Sequence, residues 1–394
     1  MNILYIATRP PFPITTGDRV IVFNRLVKLH EKHNISLVML YQSNQELDDM
    51  KEIYGLCKNV WSFKLPRILS VTSVLTRFLF SYDPFQILYY KSNHIKEKVR
   101  DIIRDNDFDL INVFLIRGLP YTYDSNIPVV LDMVDSMQLN FLRRSRSANN
   151  CIVRKIFTLE LERVTRYENN LPNNVARTLF VAEKDSTKIM SKKQVIPLGV
   201  DTDKFHPSHK ERKKIIIFSG NMSYSPNIQA IRWFLENCYE SICEKVDDTV
   251  TLLIAGSNPS KEILRYQSQS DNIIVTGYVD SLSELIASST ISIAPMQSGS
   301  GMQNKILEAM SCAIPVVSTT LGLGNIKAEH KKEIIVEDTP YQFAHAVVDI
   351  LNYPDKYKTL SICARDFVVK NHSWESHASV VENVYHEVVG DFLV

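Results

Sequence analysis

Apolar and polar positions follow two different periods along this chain. Asn2–Ala7, Asn34–Tyr41 and Leu110–Phe114 are short apolar runs, which are typical of buried strands. Residues 19–33 and 95–105 instead place apolar side chains three or four positions apart, as in amphipathic helices. Strands that alternate with helices predict a parallel sheet covered on both faces, and therefore an α/β fold.

The same alternation continues in the second half. Strands are predicted at 214–219, 250–255 and 273–276, and Ser225-Pro226 is predicted to cap and open a helix that runs to about residue 246. A chain of 394 residues suggests two domains. Residues 195–214 combine turn residues with a charge run, so we predict domains over 1–194 and 195–372.

The stretch 290–320 suggests chemistry. A strand at 291–295 precedes a Gly/Ser loop, and a helix is predicted over 304–313. Loop N–H groups and a helix N-terminus together can bind a phosphate. Lys305 in the first turn would neutralise that anion, and Glu308 would reach a neighbouring sugar hydroxyl. The alternative is an ordinary helix-surface ion pair between Lys305 and Glu308.

Several glycines follow predicted strands, at the positions that line the ligand crevice of a doubly wound sheet. These glycines are Gly220, Gly256, Gly277 and Gly301. Gly17, just before the first predicted helix, is either a second anion contact or an ordinary turn glycine.

The net charge of +1 conceals an asymmetry. Residues 1–193 carry 28 Lys/Arg and 20 Asp/Glu, whereas residues 194–394 carry 17 and 24. The basic half is expected to meet something anionic. Within it, 61–90 and 141–166 mix basic residues with apolar ones. They are either core helices with solvated basic faces or a surface for anionic lipid. Nucleic acid is not expected, because no recognition motif accompanies the charge.

Localisation and metal chemistry follow from what the sequence lacks. It has no basic n-region before an apolar run at its start, and no apolar stretch of about 18–20 residues. Its six cysteines are scattered without metal or redox spacing, so most are predicted to be buried free thiols. These features favour the cytoplasm, and neither a metal nor a cofactor is expected.

Four segments resemble the retaining GT-B glycosyltransferases of family 4, and among them bacterial polysaccharide sugar transferases. They are the Pro-rich loop with Gly17, VIPLGVDTDKF (195–205), FSGNMSYSPN (218–227) and GSGMQNKILEAM (299–310) with the following PVVST. The resemblance implies two Rossmann-like domains that face each other across a cleft. The first would bind the acceptor, the second the nucleotide-sugar donor, and a last helix at about 373–394 would return to the first.

The resemblance also implies a donor site. Glu308 would contact the nucleotide ribose, residues 301–304 would surround the diphosphate and the sugar, and residues 277–279 would border the base. The predicted donor-binding set is Gly17, Gly220, Asn221, Gly277, Tyr278, Val279, Ser300, Gly301, Met302, Gln303, Asn304, Lys305 and Glu308.

Three departures from the family pattern affect its chemistry. Ser300 stands where relatives have the first of two glutamates, so the donor sugar is not implied. Asn221 and Asn227 occupy the region of a usual basic pair, which leaves Lys305 to neutralise the diphosphate. The usual histidine is absent from LDMVDS, where Asp132 and Asp135 are the candidate catalytic groups. Asp135 is alternatively a helix cap.

The predicted function is therefore metal-independent transfer of a sugar from a nucleotide-diphosphate-sugar to a glycan or lipid-linked acceptor in bacterial surface polysaccharide synthesis. The resemblance alone implies retention. The alternatives are a non-catalytic nucleotide-sugar-binding assembly subunit and a GT-B sugar-nucleotide epimerase. Peripheral contact with an anionic membrane is a further hypothesis.

Overall fold

The computed structural model describes residues 1–14, 17–48, 50–183, 192–208, 213–299 and 304–392. The chain divides into two compact units. The first unit comprises Met1–Pro197 and His377–Val394, and the second unit comprises Leu198–Ser376.

The first unit is built on a seven-stranded parallel sheet in the order β3-β2-β1-β4-β5-β6-β7. Its strands are β1 (Asn2–Ala7), β2 (Asn34–Tyr41), β3 (Asn59–Lys64), β4 (Leu110–Phe114), β5 (Val129–Val134), β6 (Val175–Phe180) and β7 (Lys193–Val195). Its helices before the second unit are α1 (Gly17–Leu29), α2 (Lys51–Leu56), α3 (Arg67–Arg77), α4 (Phe85–Tyr90), α5 (Asn93–Arg104), α6 (Met137–Ser147) and α7 (Cys151–Asn169).

The second unit contains a six-stranded parallel sheet in the order β10-β9-β8-β11-β12-β13. Its strands are β8 (Ile215–Ser219), β9 (Thr251–Ala255), β10 (Ile273–Gly277), β11 (Ile291–Ala294), β12 (Val316–Ser318) and β13 (Ile335–Val336). Its helices are α8 (Ser225–Phe234), α9 (Glu240–Lys245), α10 (Lys261–Gln267), α11 (Leu282–Ser288), α12 (Asn304–Ser311), α13 (Thr320–Leu323), α14 (Pro340–Asn352) and α15 (Lys358–His372). The last helix of the chain, α16, spans Trp374–Phe392.

Both faces of the second sheet are covered, as the sequence predicts. Ile216 and Phe218 point into one apolar core, whereas Ile217 between them points into another. This alternation is the period of a strand whose two faces are both buried.

Each sheet has a switch point, where the strand order reverses direction. β1 lies between β2 and β4 in the first unit, and β8 lies between β9 and β11 in the second. In open α/β sheets, ligands bind outside the carboxyl ends of the strands at such a point. The residues that follow β1, β4, β8 and β11 are therefore the first candidates for function.

Two local predictions were wrong. Ser225 is the first residue of α8 rather than its cap, because Tyr224 occupies the cap position. Only Cys57, Cys238 and Cys312 are buried; Cys151 and Cys243 are exposed. All six thiols are free.

A buried polar network joins α16 to the sheet of the first unit. Arg25 on α1 forms an ion pair with Asp132 on β5, and each of these side chains is 1% exposed. The Nε of Arg25 also donates to Nε2 of His377, at 2.8 Å. Tyr385 on α16 hydrogen-bonds Tyr5 at 3.1 Å. Such a network stabilises a fold only while each charge keeps its partner.

We expect Asp132→Asn to lower the free energy of unfolding by about 3–5 kcal/mol, because it leaves the buried Arg25 charge uncompensated. The urea midpoint of unfolding measures this loss. The matched control is Asp135→Asn, an exposed position three residues away, which should change stability by less than about 0.5 kcal/mol. Equal midpoints for the two variants would contradict this account of Asp132.

Candidate functional site

Lys305 is a buried cation in the second unit. It is the second residue of α12, and only 6% of it is exposed. Its Nζ donates to Oδ1 of Asn227 at 2.7 Å, lies 3.8 Å from Sδ of Met296, and lies 4.0 Å from the ring centroid of Phe218. The lysine therefore points back to the carboxyl end of β8, which is the switch point of this sheet.

The charge of Lys305 has little compensation. Among the described residues, no carboxylate lies within ion-pair distance of its Nζ; the alternative of a Lys305–Glu308 surface pair is therefore wrong. Burial lowers the pKa of Lys305 to about 7, and the charge of Glu308 only partly opposes this effect. Bringing an anion to the ammonium group would restore its charged form.

Gly220 makes this approach of Lys305 and Asn227 possible. It follows β8 with a φ of 149°, a conformation that L side chains rarely adopt. A Cβ at this position would lie 2.8 Å from Nδ2 of Asn227 and 3.5 Å from Nζ of Lys305. Asn227 is itself held, because its Nδ2 donates to the carbonyl of Asn221 at 2.9 Å.

Neighbouring strand ends converge beside Gly220. A Cβ at Gly256, which follows β9, would lie 1.8 Å from the carbonyl oxygen of Gly220. The N–H of Gly256 donates to the carbonyl of Gly277 at 3.1 Å. The structure thus brings together the three glycines that the sequence placed after β8, β9 and β10.

Glu308 lies one turn after Lys305 on α12 and is partly buried. Burial raises its pKa to about 7, while the charges of Lys305 and Lys204 oppose this rise. A carboxyl group in this position can accept hydrogen bonds from hydroxyl groups.

Lys204 also lines a cavity of about 850 Å³ in the second unit. Val279, His206, Glu284 and Ser288 contribute to the same cavity. The cavity is large enough for a small organic ligand. Because Lys204 is adjacent to both, the cavity and Glu308 form parts of one region.

The other predicted donor residues differ in placement. Asn221 is exposed, and its Oδ1 accepts from the N–H and Oγ of Ser223, at 3.0 and 2.8 Å. Asn304 is the exposed first residue of α12, and Tyr278 is 76% exposed. Ser300, Gly301, Met302 and Gln303 lie outside the described residues.

The remaining candidates belong to the first unit. Gly17 is the exposed first residue of α1, and a Cβ there would meet nothing within 4 Å. Asp132 is buried against Arg25, which favours a structural role. Asp135 is exposed just after β5, and partial burial raises its pKa while Arg143 opposes this. It is not the helix cap, since Ser136 accepts from the N–H of Leu139.

The backbone before Asp135 is unusual. Val134 has a φ of 62°, a conformation that is rare for a β-branched residue. Leu115, which follows the neighbouring strand β4, has a φ of 66°. Its N–H donates to the carbonyl of Asp132 at 2.7 Å. Such outliers cluster at functional sites, and here they present Asp135 at the carboxyl edge of the sheet.

Three contributors to the site were missing from the predicted donor set. These are Asn227, Phe218 and Lys204. Asn227 and Phe218 lie in the segment 218–227 that carries the resemblance, and Lys204 lies in the segment 195–205. Residue type alone gives no sign that they would meet Lys305 or Glu308.

One group among the described residues is close enough to hold a metal ion, namely His33, Glu382 and His386. Its ligand atoms lie within 4.8 Å of one another. Lys32 already contacts Glu382 at 2.8 Å. His33 immediately precedes β2, so this group lies at the amino edge of the first sheet, opposite the switch-point edge.

Part of the second unit matches a known protein family. Residues 213–353 match the family model of glycosyl transferases group 1. An uncharacterized 44.6 kDa protein in the cps region of Klebsiella pneumoniae is 23% identical to this chain over 392 residues, covering 94% of this chain and 96% of that protein.

Solved structures share the fold over almost the whole length. Sucrose-phosphate synthase from Thermosynechococcus elongatus superimposes with a TM-score of 0.68 at 13% identity, covering 99% of this chain and all of that one. HepE from Anabaena, solved in complex with UDP, superimposes with a TM-score of 0.65 at 12% identity, covering 98% of this chain and all of that one.

Proposed function

We propose that the chain transfers a sugar from a nucleoside-diphosphate sugar to an acceptor. The match of residues 213–353 to the family model of glycosyl transferases group 1 and the shared fold support this proposal. The observation that carries this proposal is the buried ammonium group of Lys305 at the switch point of the second sheet. It has hydrogen-bonding and aromatic neighbours but, among the described side chains, no carboxylate in contact. A diphosphate supplies the negative charge that would compensate the ammonium group of Lys305.

If the diphosphate binds at Lys305, the rest of the donor can be placed from there. Glu308, one turn along α12, accepts a hydrogen bond from a ribose hydroxyl in this proposal. The cavity beside Lys204 and Val279 accommodates the base. UDP is the nucleotide we expect, in keeping with HepE, which has been solved with UDP and with UDP-glucose. The donor sugar depends on residues 300–303, where Ser300 replaces the family's first glutamate.

The chemistry is loss of a diphosphate leaving group. The bond between the anomeric carbon and the diphosphate oxygen breaks, and the acceptor hydroxyl oxygen bonds to that carbon. Lys305 stabilises the negative charge that builds on the leaving group. Asp135 accepts the hydroxyl proton, since it is exposed whereas Asp132 is paired with Arg25. The proposal includes retention of configuration, as the family resemblance implies, and no metal ion.

The biological setting we propose is surface polysaccharide synthesis in the cytoplasm, with a glycan or lipid-linked acceptor. The relative in a cps region supports this setting. None of the described helices combines the length and the apolar character needed to cross a bilayer.

A peripheral membrane surface is part of the proposal. Helix α3 and the turn after it expose an apolar set, in which Phe80 is 88% exposed and Ile68 is 77% exposed. The other members of this set are Leu69, Val71, Leu75, Leu79 and Tyr82. Of the two alternatives that the sequence left open, this exposure supports the lipid surface rather than core helices for this face of α3. Exposed apolar clusters of this kind mark interaction sites.

Helix α7 continues this surface. Ile152 and Ile156 on α7 are exposed. Arg163 on α7 donates to the carbonyl of Phe78 at 2.6 Å. The guanidinium carbon of Arg166 lies 4.6 Å from the ring centroid of Tyr82. We call α3, residues 78–82 and the exposed side of α7 the basic apolar surface. Apolar side chains beside arginines fit the interface of an anionic bilayer.

Turnover tests the proposed function. Purified protein is incubated with a panel of UDP-sugars, and UDP release is measured with and without glycan acceptors. We expect release from at least one donor, and a fall in kcat/KM of about 10²–10³-fold for Lys305→Gln because leaving-group stabilisation is lost. Lys261→Gln, an exposed lysine of the same unit, is the control. UDP binding without turnover would indicate an assembly subunit, and an isomerised donor without UDP release would indicate an epimerase.

Binding of UDP should depend on pH through Lys305. An adjacent diphosphate raises the lysine pKa above its unliganded value of about 7. Above pH 7, binding must therefore take up a proton, and the affinity should fall by up to about tenfold per pH unit. Calorimetry in buffers of different ionisation enthalpy measures this uptake. Lys305→Gln should abolish it, whereas Lys261→Gln should keep it. Equal wild-type affinities at pH 7 and 9 would exclude the assignment.

Vesicle sedimentation tests the basic apolar surface. At low salt we expect binding to vesicles with 30% phosphatidylglycerol but little binding to pure phosphatidylcholine. The double change Leu79→Ser and Phe80→Ser should weaken binding by more than about tenfold, because each side chain contributes about 1.5–3 kcal/mol of burial. Leu264→Ser, also exposed but in the second unit, is the control. A vesicle-independent dimer that the double change abolishes would instead assign this surface to a second copy.

A further inference from the structure

Two arginines meet at the switch point of the first sheet. Arg9 follows β1, and Arg117 lies in the helical turn Ile116–Tyr121 that follows β4. Since β1 and β4 are adjacent strands, the two side chains reach the same edge of the sheet. Lys305 occupies the corresponding position in the second unit.

Arg117 is held in a fixed orientation. It is 9% exposed, and its Nε donates to Oγ1 of Thr8 at 2.6 Å. Its guanidinium carbon lies 4.7 Å from the ring centroid of Tyr90. Burying a guanidinium costs free energy unless charges of opposite sign surround it. Thr8 and Tyr90 thus fix the direction of this guanidinium group without supplying a carboxylate.

The charges at this edge do not balance. Asp18 lies 3.7 Å from Nη2 of Arg117 and 3.6 Å from Nη1 of Arg9. Both distances exceed the 2.7–2.9 Å or so of a charge-assisted hydrogen bond. Among the described residues, Asp18 is the one carboxylate within ion-pair distance of both guanidinium groups, and the charge of Glu46 also acts on Arg9. Burial lowers the pKa of Arg117, and the charge of Arg9 adds to this effect, while Tyr90 and Asp18 oppose it.

We propose that Arg9 and Arg117 bind an oxyanion of the acceptor, either a phosphate or a carboxylate group. This proposal rests on the proposed glycosyltransferase function and adds the chemical class of its acceptor. The cavity between Arg9, Arg117 and Asp18 measures about 10 Å³, which is room for one oxygen atom. The remaining oxygens of the anion stay outside it, beside the half-exposed side chain of Arg9. Guanidinium groups suit such oxyanions because their N–H donors match them in pairs.

The test uses the full chain carrying Lys305→Gln, so that anions no longer bind through Lys305. Calorimetry at pH 7 measures binding of inorganic phosphate and of glucuronate, with glucose as the neutral control. We expect binding of at least one anion and none of glucose. Stronger binding of phosphate would point to a phosphorylated or lipid-phosphate acceptor, and stronger binding of glucuronate to an acidic glycan.

Adding Arg9→Gln or Arg117→Gln should lower the affinity for the anion roughly ten- to hundredfold, because each change removes a charged donor. Arg117→Lys should restore only part of the affinity, since it keeps the charge but loses the paired donors. Arg100→Gln, an exposed arginine on α5, is the matched control. Arg9 is half exposed, so its variant tests the site even if Arg117→Gln fails to fold. Unchanged anion affinity in Arg9→Gln would overturn the proposal.

A second arm separates the acceptor from the donor. In a chain with Lys305 intact, Arg9→Gln should leave the UDP affinity within about twofold of the wild-type value. A tenfold loss would assign the arginines to the donor diphosphate and overturn the acceptor assignment. Loss of UDP binding in Lys305→Gln is independent of this result, so failure of the acceptor proposal and failure of the donor proposal remain distinguishable.

Discussion

The second unit is organised around one electrostatic constraint, which is that a buried ammonium group must be compensated. The ammonium group of Lys305 is buried against Phe218, Met296 and Asn227 and has therefore lost its hydration. These neighbours provide one short hydrogen bond and an aromatic face. That compensation is incomplete, which is why burial lowers the lysine pKa. We propose that this incomplete compensation suits the site to an anion, and Gly220 supplies the space that the arrangement needs.

The two units apply the same topological rule to different cations. In each, the strand order reverses beside the first strand of the unit, and a basic side chain lies at the carboxyl ends there. The second unit presents a compact ammonium group from a helix start. The first presents the planar groups of Arg9 and Arg117, which are held by Thr8 and Tyr90. A point charge suits a diphosphate, whereas rigid forks suit an oxyanion that must be oriented.

The contrast between Asp132 and Asp135 shows how three residues along a chain separate structure from chemistry. Asp132 is still within β5 and points into the interior, where Arg25 and His377 tie it to α16. Asp135 follows the left-handed turn at Val134 and emerges at the sheet edge. The same residue type thus stabilises the fold in one case and is available for proton transfer in the other.

The sequence by itself indicated many of the strands and helices and the doubly wound class, but it gave no prediction for β3, β6 and β7. Runs such as Asn2–Ala7 and Asn34–Tyr41 match their predicted bounds, because apolar periodicity is a local property. Only the tertiary structure decided which side chains meet. Lys305 and Asn227 are 78 positions apart. The apolar side chains of α3 are exposed because none of the described elements covers them. Such contacts arise from long-range packing, which leaves no local pattern in the chain.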